Sequence, residues 1–244
     1  MPREERRETR DERNAFRLSS FLYRLSIGCM SARENILARI RARQGKPAAA
    51  APSERESVQS HLRSHPPSAR PEMPWDSVTR FKEQALRLAS TIEEVTLVDG
   101  VPAAAARYLR QQGLPLVAVC WPQFTDLPWQ GAGVEVEARA ARDTDLVGIT
   151  GAFCAIAETG TLMTLSGTAT PATLSLLPET HIAIVQASRI VRGMEEAWQL
   201  LRTELGSVPR AVNFISGPSR TADIEQTVTL GAHGPYRVHI LLVA

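Results

Sequence analysis

Cysteine is scarce: Cys29, Cys120 and Cys154 are the only three in 244 residues, and they lie far apart. No C-x-x-C pair occurs, and three dispersed thiols cannot supply the usual four thiolates of an iron–sulfur cluster, so no cluster is expected in this chain. An odd, scattered set also argues against a disulfide scaffold and fits a reducing compartment. Long apolar runs are missing too, with nothing near the roughly 18 uninterrupted apolar residues of a membrane span. The opening residues mix acids with arginines, unlike the n-region of a signal peptide, so a cytoplasmic location is expected. Nucleotide signatures are likewise absent: there is no G-x-G-x-x-G and no Walker loop. His181, His233 and His239 do not fall at H-x-x-x-H spacing, and no metal site is expected.

A concentrated basic face is also missing from most of the chain. Residues 1–46 carry 12 Lys/Arg against 6 Asp/Glu, which leaves residues 47–244 at net −4 within a total of +2. Binding to nucleic acid needs phosphate-neutralising charge gathered on one surface, so it is not expected as the main work.

With 43% hydrophobic residues the chain can fill a core, and its length allows one main domain plus extensions. Four parts are expected. Residues 1–29 are a charged, disordered extension. Residues 30–45 form a helix with Met30 as a natural start, Ser31 as N-cap, Glu34 completing a capping box and Gly45 beyond the end. Residues 46–74, rich in Pro, Ala, Ser and Arg, read as a linker with a short helix near Val58–Arg63. Residues 75–244 form an α/β domain.

In that domain "WDSVTRFKEQALRLAS", "VPAAAARYLRQQG" and "GMEEAWQLLRTELG" have helical periodicity, whereas "EEVTLVD", "LPLVAVC", "HIAIVQA" and "RAVNFIS" have strand character. Apolar strands separated by helices predict a mostly parallel sheet covered by helices on both faces. Ligands of such sheets sit where loops converge beyond strand carboxyl ends.

Three glycine-containing patches carry the candidate chemistry. In "GITGAFCAIAETGTLMTLSG", Glu158, Thr159, Gly160 and Thr161 place a carboxylate, hydroxyls and a permissive backbone before a strand; a plain turn with Glu158 as a cap is the bland alternative. In "NFISGPSRTADIE", Ser216, Gly217 and Ser219 could hold an anion at a helix start, with Asp223 and Glu225 read as first-turn acids. In "GAHGPYRVHILLV", His233 lies between glycines in a loop, while His239 in the terminal strand reads as buried and His181 opens a strand of its own. Glu158 and His233 are the candidate catalytic pair, expected to converge with Ser219 on one cleft. Cys154, close to Glu158 in an apolar stretch, reads as a small buried hydrophobe.

Taken in order, "GITG…AIAETGT", "LSLLPETHIAIV", "FISGPSRTADIE" and "GAHGPYRVHILLV" resemble the signature of the lactate utilization protein C family, the LUD domain. The resemblance covers most of Trp75 to Val243, and the helix after Met30 resembles the family's N-terminal helix. Phe153 and Cys154 stand where members often carry an acid and an aromatic, and residues 1–29 have no counterpart in the resemblance. It implies the fold shared with sugar-phosphate isomerases and CoA transferases, and a part in oxidation of L-lactate to pyruvate beside iron–sulfur partner subunits. The residues add a constraint: oxidising a 2-hydroxy acid needs a two-electron acceptor, and no fingerprint for one occurs here. The expectation is a non-cluster subunit that binds a small organic acid, with the clusters in partner proteins. The alternative is a stand-alone acyl- or CoA-transferase-like, or sugar-phosphate-binding, enzyme with Glu158 as nucleophile or base.

Overall fold

The computed structural model describes residues 31–47, 49–66, 69, 72–221 and 229–244. The extension at 1–29, Met30 and the acids Asp223 and Glu225 lie outside them. The chain divides into two compact units, residues 1–68 and 69–244.

The first unit holds helices α1 (Ala32–Arg43) and α2 (Pro52–Ser64). Ser31 caps α1 as its sequence requires: Glu34 N–H donates to Ser31 Oγ at 3.2 Å, and Ser31 N–H donates to Glu34 Oε2 at 2.6 Å. Helix α2 occupies the middle of the segment read as a linker. It is 13 residues long, because Pro52 starts it and Glu54 reaches back to the Ala51 N–H at 3.1 Å. Neither helix buries a residue.

The second unit opens with α3 (Ser77–Arg87), started by Asp76, whose Oδ1 accepts from the Thr79 N–H at 2.9 Å. Then follow β1 (Thr91–Val95), α4 (Val101–Gln111), β2 (Val117–Cys120), α5 (Trp129–Ala132), β3 (Glu135–Ala138), β4 (Val147–Gly151), β5 (Cys154–Ile156) and β6 (Thr161–Leu165). The chain continues through α6 (Thr173–Leu176), β7 (Thr180–Gln186), β8 (Ile190–Val191), α7 (Met194–Leu205), β9 (Val212–Ile215), the pair β10 (Arg220–Thr221) and β11 (Thr229–Leu230), and β12 (Arg237–Val243). Strand β1 begins and ends earlier than "EEVTLVD" suggests, since Val98–Gly100 turns as a 3-10 helix into α4.

Six strands form a sheet in the order β1-β12-β7-β4-β2-β3, with every neighbouring pair parallel. Four others, β8-β5-β6-β9, form a second sheet, antiparallel except for β5 with β8. "RAVNFIS" and "TLMTLS" therefore belong to this smaller sheet and not to the parallel one.

Alternation along the strands decides which core each residue enters. In β7, Ile182 and Ile184 face α4 with Leu109, Ile149 and Leu241, while Ala183 and Val185 face Phe81 and Ala85 of α3 and Ala155, Ala157 and Leu162 of the smaller sheet. The smaller sheet turns its other side, Cys154, Ile156 and Met163, to Ala197 and Leu201 of α7. Each fully buried Leu or Ile in these layers contributes about 1.5–3 kcal/mol of transfer free energy. One side of the parallel sheet is thus covered by helices, and the other by α3 together with the smaller sheet.

Candidate functional site

Two of the three patches meet through hydroxyls. Thr159 Oγ1 donates to Thr161 Oγ1 at 2.8 Å, and Thr161 Oγ1 shares a 2.7 Å hydrogen bond with Ser216 Oγ across the β6–β9 pair. The glycines beside them have structural work. Gly160 (φ +67°) and Gly217 (φ +81°) both press on the end of α3: a Cβ at 160 would strike the backbone of Gln84 and Ala85, and one at 217 would strike the Leu88 carbonyl. Gly217 therefore admits a helix rather than a ligand.

The second and third patches also meet. The His233 N–H donates to Ser219 Oγ at 3.3 Å, while the Ser219 N–H donates to Pro235 O at 2.9 Å and Ser219 O accepts from the Gly231 N–H at 3.0 Å. The His233 side chain is exposed, and its loop leads into the amino end of β12.

The Glu158 carboxylate belongs to different surroundings. Its backbone N–H donates to Arg192 O at 2.9 Å, and its side chain lies against Gly193, the residue that starts α7. A Cβ at Gly193 would come within 3.1 Å of Glu158 Oε2 and 3.4 Å of Met73 Cε. Two guanidinium groups gather nearby on one indole: Arg192 lies 5.5 Å and Arg80 5.7 Å from the Trp75 ring centroid. Glu83 stands 3.6 Å from Arg80. Among the described residues neither the Glu158 carboxylate nor the Arg192 guanidinium makes a hydrogen bond or ion pair, and no hydrogen bond joins Glu158 to Ser219 or His233. The contacts thus divide the candidates into two groups. A carboxylate, two guanidiniums and an aromatic face beyond the carboxyl end of β7 can hold an anionic molecule and accept a proton or hydrogen bond from it. Trp75, Arg80 and Arg192 were not among the sequence candidates, because they come from elements far apart in the chain. The one local signal was Arg192-Gly193 directly before a predicted helix.

The chain is 31% identical to a lactate utilization protein C from Geobacillus sp. (strain WCH70) over 183 residues, which are 67% of this chain and 76% of that protein. It is 33% identical to an uncharacterized protein from Neisseria meningitidis serogroup B, over 88% of this chain and 94% of the other. The LUD domain model matches residues 124–243. The chain belongs to the LUD domain family. A crystal structure of a DUF162 family protein from Deinococcus radiodurans has the same fold, with TM-score 0.51, 23% identity, and coverage of 71% of this chain and all of that one.

The matched LUD residues contain Glu158, Arg192, Ser216, Ser219 and His233, while Trp75 and Arg80 precede them. His181, His239, Cys120 and Cys154, by contrast, are buried. His181 is fully buried and His239 is 4% exposed, and burial pushes both imidazoles down to about 4. The Thr150 hydroxyl donates to Gly151 O at 2.9 Å, so His181 Nε2 donates to it at 2.7 Å, and Nδ1 is left bare. His181 sits inside the layer between the sheets. Cys120 and Cys154 lie in separate cores, and burial pushes each thiol up to about 11. Cys154 is the small buried hydrophobe its apolar neighbours implied. Among the described residues no three His, Cys, Asp or Glu side chains gather as a metal site, and no helix is long and apolar enough to cross a membrane.

Proposed function

We propose that this chain is a non-cluster component of L-lactate utilization, which holds a small 2-hydroxy acid while iron–sulfur partner subunits supply the electron acceptor. The observation that carries the reading is its 31% identity to the Geobacillus lactate utilization protein C across 76% of that protein's length. The charges beyond β7 support it. Arg192 on the Trp75 face suits the substrate carboxylate, and Glu158 suits the 2-hydroxyl as hydrogen-bond acceptor. The thiol chemistry is consistent with clusters held elsewhere, since Cys120 and Cys154 sit in different cores as protonated thiols. On this proposal the chain works in the cytoplasm, in a complex.

One observation favours a second reading: Glu158 is an acid with no hydrogen-bond partner among the described residues beside an anion-attracting cluster, which also suits a stand-alone acyl- or CoA-transferase. Purification of the tagged chain from its native host separates the two. Recovery of iron–sulfur subunits, with L-lactate binding weakened by Glu158→Gln and Arg192→Gln, is the expected result. A lone chain that transfers acyl groups from acyl-CoA to a carboxylate, and stops when Glu158 becomes Gln, establishes the second reading instead.

A further inference from the structure

Helix α7 starts on half of a capping box. The Gly193 N–H donates to Glu196 Oε2 at 3.0 Å, the backward arm of the box, and Gly193 O accepts from the Ala197 N–H at 3.3 Å. The forward arm, a hydroxyl at the cap position that accepts from the helix amides, is missing because residue 193 is glycine. Helix α1 has the complete version, with Ser31 and Glu34 at the same spacing. Serine caps a helix better than glycine, so the helix end alone favours serine at this position.

Nor does the backbone ask for glycine. Gly193 has φ −140° and ψ −177°, extended values open to any residue. Gly160 and Gly217 differ, since both have positive φ and both press on backbone atoms of α3. Around position 193 the neighbours are side-chain ends. A Cβ there would stand 3.1 Å from Glu158 Oε2, 3.1 Å from Glu196 Oε2 and 3.4 Å from Met73 Cε. Flexible ends can withdraw, so a Cβ would cost the fold little. Glu196 is tied to the backbone that it caps, whereas the Glu158 carboxylate has no hydrogen bond among the described residues to hold it, and it is the one that would give way.

We propose that Gly193 is a positioning residue for the Glu158 carboxylate: its missing side chain lets that carboxylate lie against the start of α7, one residue from Arg192, where it meets the 2-hydroxyl of the bound acid. The identity of the ligand rests on the lactate reading, and the placement of the carboxylate rests on geometry alone. The test is calorimetric titration of the full chain with L-lactate and with propionate, which keeps the carboxylate and lacks the 2-hydroxyl, in the unmodified protein and in Gly193→Ser. Because serine completes the capping box, Gly193→Ser should melt no more than about 4 °C below the unmodified chain. The unmodified chain should bind L-lactate about tenfold more tightly than propionate, the worth of one hydroxyl–carboxylate hydrogen bond, and Gly193→Ser should lose that preference while binding propionate as before. Gly193→Ala, which adds the same Cβ without a hydroxyl, should lose it too. A Gly193→Ser protein that folds and keeps the preference overturns the proposal and leaves the lactate reading standing. Equal weakening of both acids also overturns it, since the substitution would then act on Arg192, and so does a larger fall in melting temperature, which would make the glycine a requirement of the fold. If the unmodified chain prefers neither acid, the lactate reading fails by itself, and the proposal is decided by the carboxyl-carbon NMR resonance of Glu158, identified as the one lost in Glu158→Gln. Movement of that resonance in Gly193→Ser upholds the placement, and an unmoved resonance overturns it.

Discussion

Among the described residues, the two ends of the parallel sheet both hold polar groups without partners, and they do so at opposite cost. Beyond the carboxyl end of β7, Arg192 is exposed and Glu158 is only partly covered, so water can satisfy both. At the amino end Thr180 and His239 are buried, and water is excluded from the atoms left unsatisfied. An unpaired charge at the surface costs almost nothing, whereas an unpaired buried donor or acceptor costs about 1–3 kcal/mol. The wet end therefore keeps its polar groups at little cost to folding, whereas the dry end gives up stability for each atom left unsatisfied.

Among single substitutions the largest effect should come from the device that holds both sheets to α3. Gly160→Ala combines a positive φ with a backbone clash at Gln84 and Ala85, and should cost roughly 3 kcal/mol or more in urea unfolding. A loss below about 1 kcal/mol would show that α3 can retreat and that the spacing of its neighbours is not fixed.

Acid should separate the dry groups from the wet ones. His181 and His239 have folded values of about 4 against an ordinary 6.5, so the folded state binds fewer protons than the unfolded chain between those limits. Stability is fully present above pH 6.5 and falls as pH drops towards 4, by about 3 kcal/mol for each histidine. Urea unfolding at pH 7 and pH 4 measures the slope, and His239→Gln should remove about half of it. A flat profile would mean that both rings take up protons without leaving the fold.

Smaller contrasts sharpen the comparison. Thr180→Val should stabilise the ligand-free protein by about 1 kcal/mol, because it deletes an unsatisfied buried hydroxyl. Glu158→Gln should leave stability within about 0.5 kcal/mol, as expected for a solvated side chain. If Glu158→Gln instead proves strongly destabilising, the carboxylate is a structural cap. Smallest of all, Cys120 and Cys154 should resist iodoacetamide in the native protein at pH 8, because both are buried thiols rather than thiolates. Rapid alkylation of either would show that its core opens readily.

Much of this was legible in the sequence, for identifiable reasons. The capping box at Ser31 and Glu34, the apolar runs of β7 and β12 and the burial of Cys154 are set by short-range pattern, which a single chain displays directly. Partner choice was not. Strands such as "RAVNFIS" are partly apolar on both sides whichever sheet they join, so periodicity could not say that β6 and β9 pair antiparallel apart from the main sheet. Glu158 was legible as an acid beside a glycine turn, yet its setting needed Trp75 and Arg192, which lie more than a helix away in either direction. Arg237 and Thr180 carry no signal of their own in the sequence, and only the register of β12 against β7 makes them neighbours.

That register also orders events in time. Strand β12 lies between β1 and β7, so Thr91 meets His239 across 148 positions of sequence. Strand β1 can find its place only after β12 has been made, and at translation rates of 5–20 residues per second it waits roughly 7–30 s for its partner. During that interval the apolar side chains of α3 and β1 have no finished core to enter. Long-range parallel pairing of this kind slows folding, and it makes the nascent chain a client for whatever shields such surfaces until the last strand slides in.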